Sequence, residues 1–209
     1  MTKLRRYRST TLTTGLLLLL TSHVVSASEE RDWPCEQVYV PEVSAAVVWD
    51  GPNIDGMLDQ WRQQPDVEAL VRQLTARRAA AADAEPAIEA FAKQQPPTER
   101  NGKLTLLFAG VWQSLNADRR KLNNGILRYA RDQQQRAEKL DAHLVEMVRL
   151  ENDPSVQAGE KLSALRKQVD IEQRVFDDRE RTIPFLCTRP RVLEQKLGEL
   201  ARSIAYQLE

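Results

Sequence analysis

The feature that most constrains the fold is a stretch from Lys103 to Asn152 that contains no proline and only two interior glycines, Gly110 and Gly125. Apolar side chains recur along it at steps of three and four residues, which is one face of a helix. They are Leu104, Phe108, Val111, Leu115, Leu122, Ile126, Tyr129, Ala137, Leu140, Leu144 and Met147. The pattern predicts one long helix, weakest at residues 123–125, where poor helix formers cluster and a bend or break could form.

A second apolar stripe starts after Asp153 and Pro154, which can cap and open a helix. Its members are Ala158, Leu162, Leu165, Val169, Phe176 and Ile183. Because an apolar helix face needs a partner and the connection is short, the two stripes are predicted to form an antiparallel hairpin. Gln133, Glu172 and Arg179 interrupt the stripes, and we expect them to fix the register or to mark a face that another chain covers.

A last helix is expected from near Thr188 to Gln207, with Pro190 tolerated in its first turn. Its apolar face contains Leu193, Leu197, Leu200, Ile204 and Leu208. The sequence therefore predicts an all-α fold, an antiparallel helical bundle with a coiled-coil-like hairpin and an extended N-terminal wrap. A single domain at 28–209 would contain the wrap at 28–53, short helices at 55–95 and the long-helix bundle at 103–209.

Residues 28–53 are the least helical part of the chain. They contain β-branched residues in alternation, but no second strand segment exists to pair with them, and an isolated strand is unstable. We therefore expect an extended wrap across the bundle, with residues 41–48 turning briefly as a helix. Two of the short helices that follow are expected to begin at Pro65 and Pro86, the first continuing through residues 76–78 into an alanine run.

Residues 1–27 have the features of a secretory signal peptide. A basic head is followed by an apolar middle from Leu12 to Val25 and by the small residues Ser26 and Ala27. The alternative is an uncleaved anchor, but the apolar part is shorter than the ~20 residues that span a membrane. We expect cleavage, a periplasmic or secreted product and no membrane span afterwards.

Charge argues against a nucleic-acid partner. Removing residues 1–27 removes four of the 30 basic residues and none of the 30 acidic residues, which leaves a formal charge of −4. Nucleic-acid-binding domains present a basic face on a basic domain. The basic clusters at 77–78 and 119–121 are therefore expected to be solvated helix ends.

The two cysteines, Cys35 and Cys187, both lie in the exported part of the chain. An oxidising compartment favours pairing them, which would tie the wrap to the turn expected ahead of the last helix. The alternative is two unpaired thiols, one of them buried as a small hydrophobe.

Candidate chemistry is sparse. After cleavage, His143 is the remaining histidine, and it forms a His-x-x-Glu pair with Glu146. Metal sites in bundles run Glu-x-x-His and need a matching motif on another helix, which this sequence lacks. Nucleophilic catalysis would depend on the same histidine, and the carboxylates at 177–180 alternate with arginines, as on a solvated helix face. We predict no catalytic residue, no metal and no cofactor.

Tryptophan clusters in the N-terminal segment, at Trp33, Trp49 and Trp61, with Trp112 on the long helix. One interpretation is that these side chains fix the wrap to the bundle and fill its core. The other is that Trp33, Trp49 and Trp61 form part of a binding surface for a ligand or a partner helix.

The runs Asp32-Trp33-Pro34-Cys35, Val40-Pro41-Glu42-Val43-Ser44 and Trp49-Asp50-Gly51-Pro52 resemble the start of a family of uncharacterised exported α-helical proteins of proteobacteria. The resemblance continues through residues 107–110 and 174–179. It implies a periplasmic location in a Gram-negative bacterium and no assigned chemistry.

These observations predict a structural, scaffold or protein-binding role, with another periplasmic or envelope protein as partner and a homo-oligomer as a possibility. The alternative is a small-molecule carrier or minor enzyme with a cleft between the N-terminal half and the bundle.

Overall fold

Two long helices form most of the structure, a computed structural model that describes residues 31–78 and 81–208. The helices are α1 (Ala45–Val48), α2 (Pro65–Thr75), α3 (Ala81–Gln94), α4 (Pro97–Glu151) and α5 (Val156–Ala205), with a 3₁₀ helix at Trp61–Gln63. No strand occurs in the described ranges, so the all-α prediction is confirmed. The predicted signal peptide at 1–27 lies outside them.

The α4–α5 hairpin turns at residues 152–155. Ser155, not Asp153, caps α5, because its Oγ accepts a hydrogen bond from the backbone N–H of Ala158 at 3.2 Å. Asp153 instead stabilises the turn, its Oδ1 accepting from the Ser155 N–H at 2.9 Å. Pro154 therefore lies before the helix, not at its first position.

Helix α4 differs from the prediction at its start and at residues 123–125. It begins at Pro97, because proline fits the first position of a helix, where its missing N–H has no partner to lose. It also continues unbroken through residues 123–125. Asn123 is buried there and binds the wrap, so tertiary contacts outweigh its poor helix propensity.

The separate last helix predicted from Thr188 was wrong, because α5 runs without a break through Pro184 and Pro190. A proline inside a helix removes one backbone hydrogen bond and disturbs its neighbours. Two carbonyls near Pro190 receive side-chain donors: Cys187 O from Gln37 Nε2 at 2.7 Å, and Pro190 O from Arg119 Nη1 at 3.2 Å. Cys187 thus lies within a helix and not in a turn.

The N-terminal half matches its prediction in part. α1 lies within the wrap, and α2 begins at Pro65 as expected, but it ends at Thr75 and does not continue through 76–78. α3 begins at Ala81, five residues before Pro86. The first four N–H groups of a helix have no partner within it, so Pro86 removes only one bond just beyond them, and the alanines favour the helix.

The core lies at the base of the hairpin, where α2 and α3 cover the start of α4 and the end of α5. Its most deeply buried members include Val67, Val71, Ile88, Leu104, Leu107, Phe108, Val111, Leu197 and Ile204. Gly110 of α4 allows close approach there, because a Cβ at that position would lie 2.6 Å from Val71 Cγ2 and 2.9 Å from the Trp61 ring.

Candidate functional site

Four side chains on one face of α4 bind the backbone of the wrap. Trp112 Nε1 and Asn116 Nδ2 donate to the Val43 carbonyl at 2.8 and 3.1 Å, and Asn116 Oδ1 accepts from the Val43 N–H at 2.9 Å. Arg119 Nε and Asn123 Nδ2 donate to the carbonyl of Val40 at 2.9 and 3.0 Å.

These bonds explain how an extended segment is held without a partner strand. Backbone polar groups of a covered segment need hydrogen-bond partners, which a sheet would normally supply. Here the spacing of 112, 116, 119 and 123 places four side chains in a row along the helix. The buried N–H donors of Asn116, Arg119 and Asn123 named above are therefore used to hold the wrap.

Arg119 joins three parts of the chain. Its side chain is 5% exposed, forms an ion pair with Glu194 of α5, and also donates to Val40 and Pro190 carbonyls. This corrects its prediction as a solvated helix end. A buried guanidinium needs this many partners to offset the loss of its hydration.

The disulfide between Cys35 and Cys187, predicted from the sequence, is present, with a Cα–Cα distance of 5.6 Å. It attaches the start of the wrap to the middle of α5. Neighbouring contacts order the same region: Trp33 Nε1 donates to the Gln37 carbonyl at 2.7 Å, and the Trp33 ring meets that of Tyr39 edge-on at 5.1 Å.

The tryptophans are placed mainly in the core. Trp49 and Trp61 are 8% and 4% exposed, and their Nε1 groups donate to Pro52 O and Gln113 Oε1. Trp33 and Trp112 are half-buried. The suggested binding surface of Trp33, Trp49 and Trp61 is therefore not formed, because the last two have almost no exposed area to contact a partner.

The His143–Glu146 pair is also not formed. Glu146 is bound by Arg149, whose Nε and Nη2 lie 2.7 and 2.6 Å from its two oxygens. His143 Nδ1 instead lies 3.0 Å from Glu172 Oε2 on α5, an ion-pair distance without the alignment of a hydrogen bond. Within the described ranges, no group of three His, Cys, Asp or Glu side chains is arranged to hold a metal.

The polar residues of the predicted stripes form hydrogen bonds between α4 and α5, in two layers. In the first, Gln133 Nε2 donates to the Phe176 carbonyl at 3.0 Å, and Arg179 donates to Gln133 Oε1 at 3.1 Å and to Asp132 Oδ2 at 2.6 Å. The Arg179 guanidinium also covers the Tyr129 ring at 4.1 Å.

In the second layer, Glu172 of α5 accepts from Lys139 Nζ at 2.6 Å and from Gln168 Nε2 at 3.0 Å. These two hydrogen bonds lower the pKa of the Glu172 carboxyl from 4.5 to about 2. Because each layer joins a residue of α4 to one of α5, sliding one helix along the other would leave these groups unpaired, which favours a single register.

From the second layer to the turn, the hairpin is a projecting arm, which we define as residues 139–172. Its hydrogen bonds and ion pairs, in the part of the chain that the structure describes, join α4 to α5 or lie within one of these helices or the turn between them. The arm buries Leu140, Leu150 and Ala158. It exposes large aliphatic side chains near the turn: Leu144 by 47%, Val145 by 72%, Val148 by 58% and Val156 by 76%. We call these four residues the arm patch.

Open cavities flank the hairpin, and two of them exceed 500 Å³. One of about 580 Å³ lies between α2, α3 and α5, with Leu74 and Leu200 in its lining and Asp83, Glu85 and Lys196 beside them. Burial lowers the pKa of the Lys196 ammonium, which donates to the Ala76 carbonyl at 3.0 Å. The other, of about 820 Å³, lies where Trp33 and Arg131 face Phe176.

The helices of the described ranges include none that is both long and apolar enough to cross a membrane. Comparison with protein-family models, curated proteins and solved structures finds no match to the chain. The geometry of the chain itself is therefore the basis for assigning a function.

Proposed function

We propose that the protein is an exported scaffold protein of the bacterial envelope that binds another exported or envelope protein through the free end of its hairpin arm. The arm patch is the observation that carries this proposal. Leu144, Val145, Val148 and Val156 expose 47–76% of their area within two helical turns of Glu151 or at the start of α5.

The division of the molecule supports this role. The base has a core built from five elements and a disulfide, whereas the arm consists of two helices held by a narrow seam and polar layers. An arm about 20–25 Å long adds little to the core but carries its end away from the base. Apolar side chains gathered on such an end are typical of a protein-binding surface.

The export component rests on different observations. Residues 1–27 have the composition of a signal peptide, and Cys35 and Cys187 form a disulfide, a bond that persists in oxidising compartments such as the periplasm. The arm patch also has apolar side chains without a basic excess, which favours a protein partner over an anionic surface.

Site-specific photo-crosslinking in the periplasm tests the binding role. A photoreactive residue at Val148 is expected to give one defined crosslinked partner, identified by mass spectrometry, and the double variant Val145→Glu/Val156→Glu, carrying the same photoreactive residue at 148, is expected to lose it. Val38 is the matched control, because it is 73% exposed but lies in the wrap. Equal crosslinking at Val38, or no loss in the double variant, would exclude the arm patch as the binding site.

The 580 Å³ cavity favours a second candidate, a small-molecule carrier, because ligand pockets typically enclose roughly 300–1,000 Å³. A thermal-shift screen of periplasmic extracts fractionated by size separates the two. A carrier would be stabilised by the low-molecular-weight fraction, and Leu200→Gln would abolish that shift.

A further inference from the structure

Helix α5 carries a second row of exposed apolar side chains, separate from the arm patch. Ile171, Val175, Phe185 and Val192 are 62%, 43%, 73% and 58% exposed. Their spacing places them roughly opposite the inner stripe that packs on α4. A helix with two apolar stripes is typical of an assembly in which a third or fourth helix packs beside the hairpin.

The order of residues in this outer row is self-complementary. From 175 to 192, at steps of three, four, three, four and three, it contains Val175, Asp178, Thr182, Phe185, Arg189 and Val192. Read in the opposite direction, valine faces valine, threonine faces phenylalanine, and aspartate faces arginine. The two charges that interrupt the row therefore have opposite sign and lie at equal distances from its midpoint, between residues 183 and 184.

The same face of α5 is already used for packing at the base. Near its C-terminal end, Leu200 is 3% exposed beneath α2 and α3, and Lys196 donates to the Ala76 carbonyl of the α2 C-terminus. Closer to the α4–α5 turn, α2 and α3 no longer cover α5, and the row is exposed from Val192 back to residue 175. The exposed row thus continues an interface that the fold already forms.

We propose that a second copy of this chain covers the outer row, with the two α5 helices antiparallel about a two-fold axis between residues 183 and 184. In this arrangement Val175 contacts Val192 of the second copy, Thr182 contacts Phe185, and Asp178 pairs with Arg189. Such an interface is isologous, so each contact occurs twice. It goes beyond the proposed function, because it uses a face of α5 different from the arm patch.

Asp178 and Arg189 are both available to form these pairs. Asp178 accepts from Arg181 at 2.9 Å, but both side chains are about three-quarters exposed, and such surface pairs contribute little. Arg189 is exposed and has no ion pair among the described residues.

The contact spans about 26 Å of helix, so the interface lies near the small end of specific protein interfaces and the dimer should dissociate on dilution. Sedimentation velocity over a concentration series tests this. The signal-free wild-type chain is expected to pass from the mass of one chain to the mass of two as concentration rises. Asp178→Arg alone and Arg189→Asp alone are each expected to remain monomeric, because like charges then meet across the axis.

An equimolar mixture of the two variants supplies the decisive result. One chain then carries two arginines and the other two aspartates at the paired positions, so the mixture is expected to form a heterodimer although neither variant dimerises alone. Asp170→Arg is the matched control, because Asp170 is an exposed aspartate outside the row. Circular dichroism melting confirms that each variant is folded.

Two outcomes would overturn the inference. One is a wild-type chain that stays monomeric at all concentrations, and the other is a dimer that forms equally well with Asp178→Arg or Arg189→Asp. Neither outcome affects partner binding at Val145 and Val148, and loss of that binding would leave the dimer unaffected.

Discussion

The indole of Trp49 lies flat on the ring of Phe108, with ring centroids 4.0 Å apart and planes 4° apart. Trp49 belongs to the end of the wrap and Phe108 to α4, so this contact joins the least regular segment of the chain to its longest helix. The wrap is thus part of the core and not a covering added to a finished bundle.

Replacing Trp49 with alanine is expected to lower the free energy of unfolding by about 3–5 kcal/mol, the usual cost of removing a large aromatic side chain from a core. Denaturant unfolding followed by circular dichroism measures the change. Val47→Ala, two residues earlier and 78% exposed, is the control and should change stability by less than about 0.5 kcal/mol. Similar effects for both would contradict the burial of Trp49.

Replacing two glycines of α4 by alanine is expected to change the stability of the fold in opposite directions. Gly110→Ala is expected to destabilise by roughly 1–3 kcal/mol, because its Cβ would lie 2.6 Å from Val71 Cγ2 and overpack the core. Gly102→Ala meets nothing within 4 Å and should stabilise by about 0.5–1 kcal/mol through helix propensity. Melting temperatures of the two variants should therefore move in opposite directions. A shift in the same direction would show that α4 is not packed against Trp61 and Val71 as described.

Glu172 should make the stability of the fold depend on pH in the acidic range. Hydrogen bonds from Lys139 and Gln168 hold its pKa at about 2 in the folded chain, below the ordinary 4.5. A lowered folded pKa contributes stability above pH 4.5, which is lost as the pH falls toward 2. The side chains of Lys139, His143 and Gln168 surround the carboxyl.

The melting temperature of Glu172→Gln should therefore lie below that of the wild type at pH 7, and the difference should shrink between pH 4.5 and pH 2. Glu180→Gln is the control, since Glu180 is exposed and has no hydrogen bond or ion pair in the described part of the chain. A difference that stays constant from pH 7 to pH 2 would contradict the pairing of Glu172 across the hairpin.

Cleaving the disulfide should release the start of the wrap. The double variant Cys35→Ser/Cys187→Ser is expected to lose roughly 2–5 kcal/mol of stability, in the chain-entropy account of a long closed loop. Hydrogen exchange should then rise at residues 33–39 while the buried start of α4 remains protected. Uniform protection in the variant would mean that non-covalent contacts, such as that of Gln37 with the Cys187 carbonyl, hold the start of the wrap without the disulfide.

The sequence predicted what depends on periodicity and missed what depends on tertiary partners. The apolar rhythm of α4 and α5 predicted the hairpin, and the two cysteines in the part of the chain expected to be exported predicted the Cys35–Cys187 bond. The continuity of α5 through Pro184 and Pro190 could not be predicted, because contacts such as those of Gln37 and Arg119 with the Cys187 and Pro190 carbonyls involve residues distant in sequence.

The row of α4 side chains that bind the wrap was not predicted, for a related reason. Asn116, Arg119 and Asn123 are polar, so they were not counted with the apolar face that they adjoin. Their spacing of three and four residues after Trp112 is the signal that could have identified them, since it places them on one line of the helix beside the core. The arm patch was not predicted either, because the sequence pattern places Leu144 in the apolar stripe that was expected to pack between α4 and α5.

The link between Cys35 and Cys187 also fixes an order of events. The chain is synthesised from its N-terminus. The Cys35 thiol therefore cannot form this bond until Cys187, 152 residues later, has been synthesised. The start of the wrap therefore cannot be covalently attached until more than half of α5 has been synthesised.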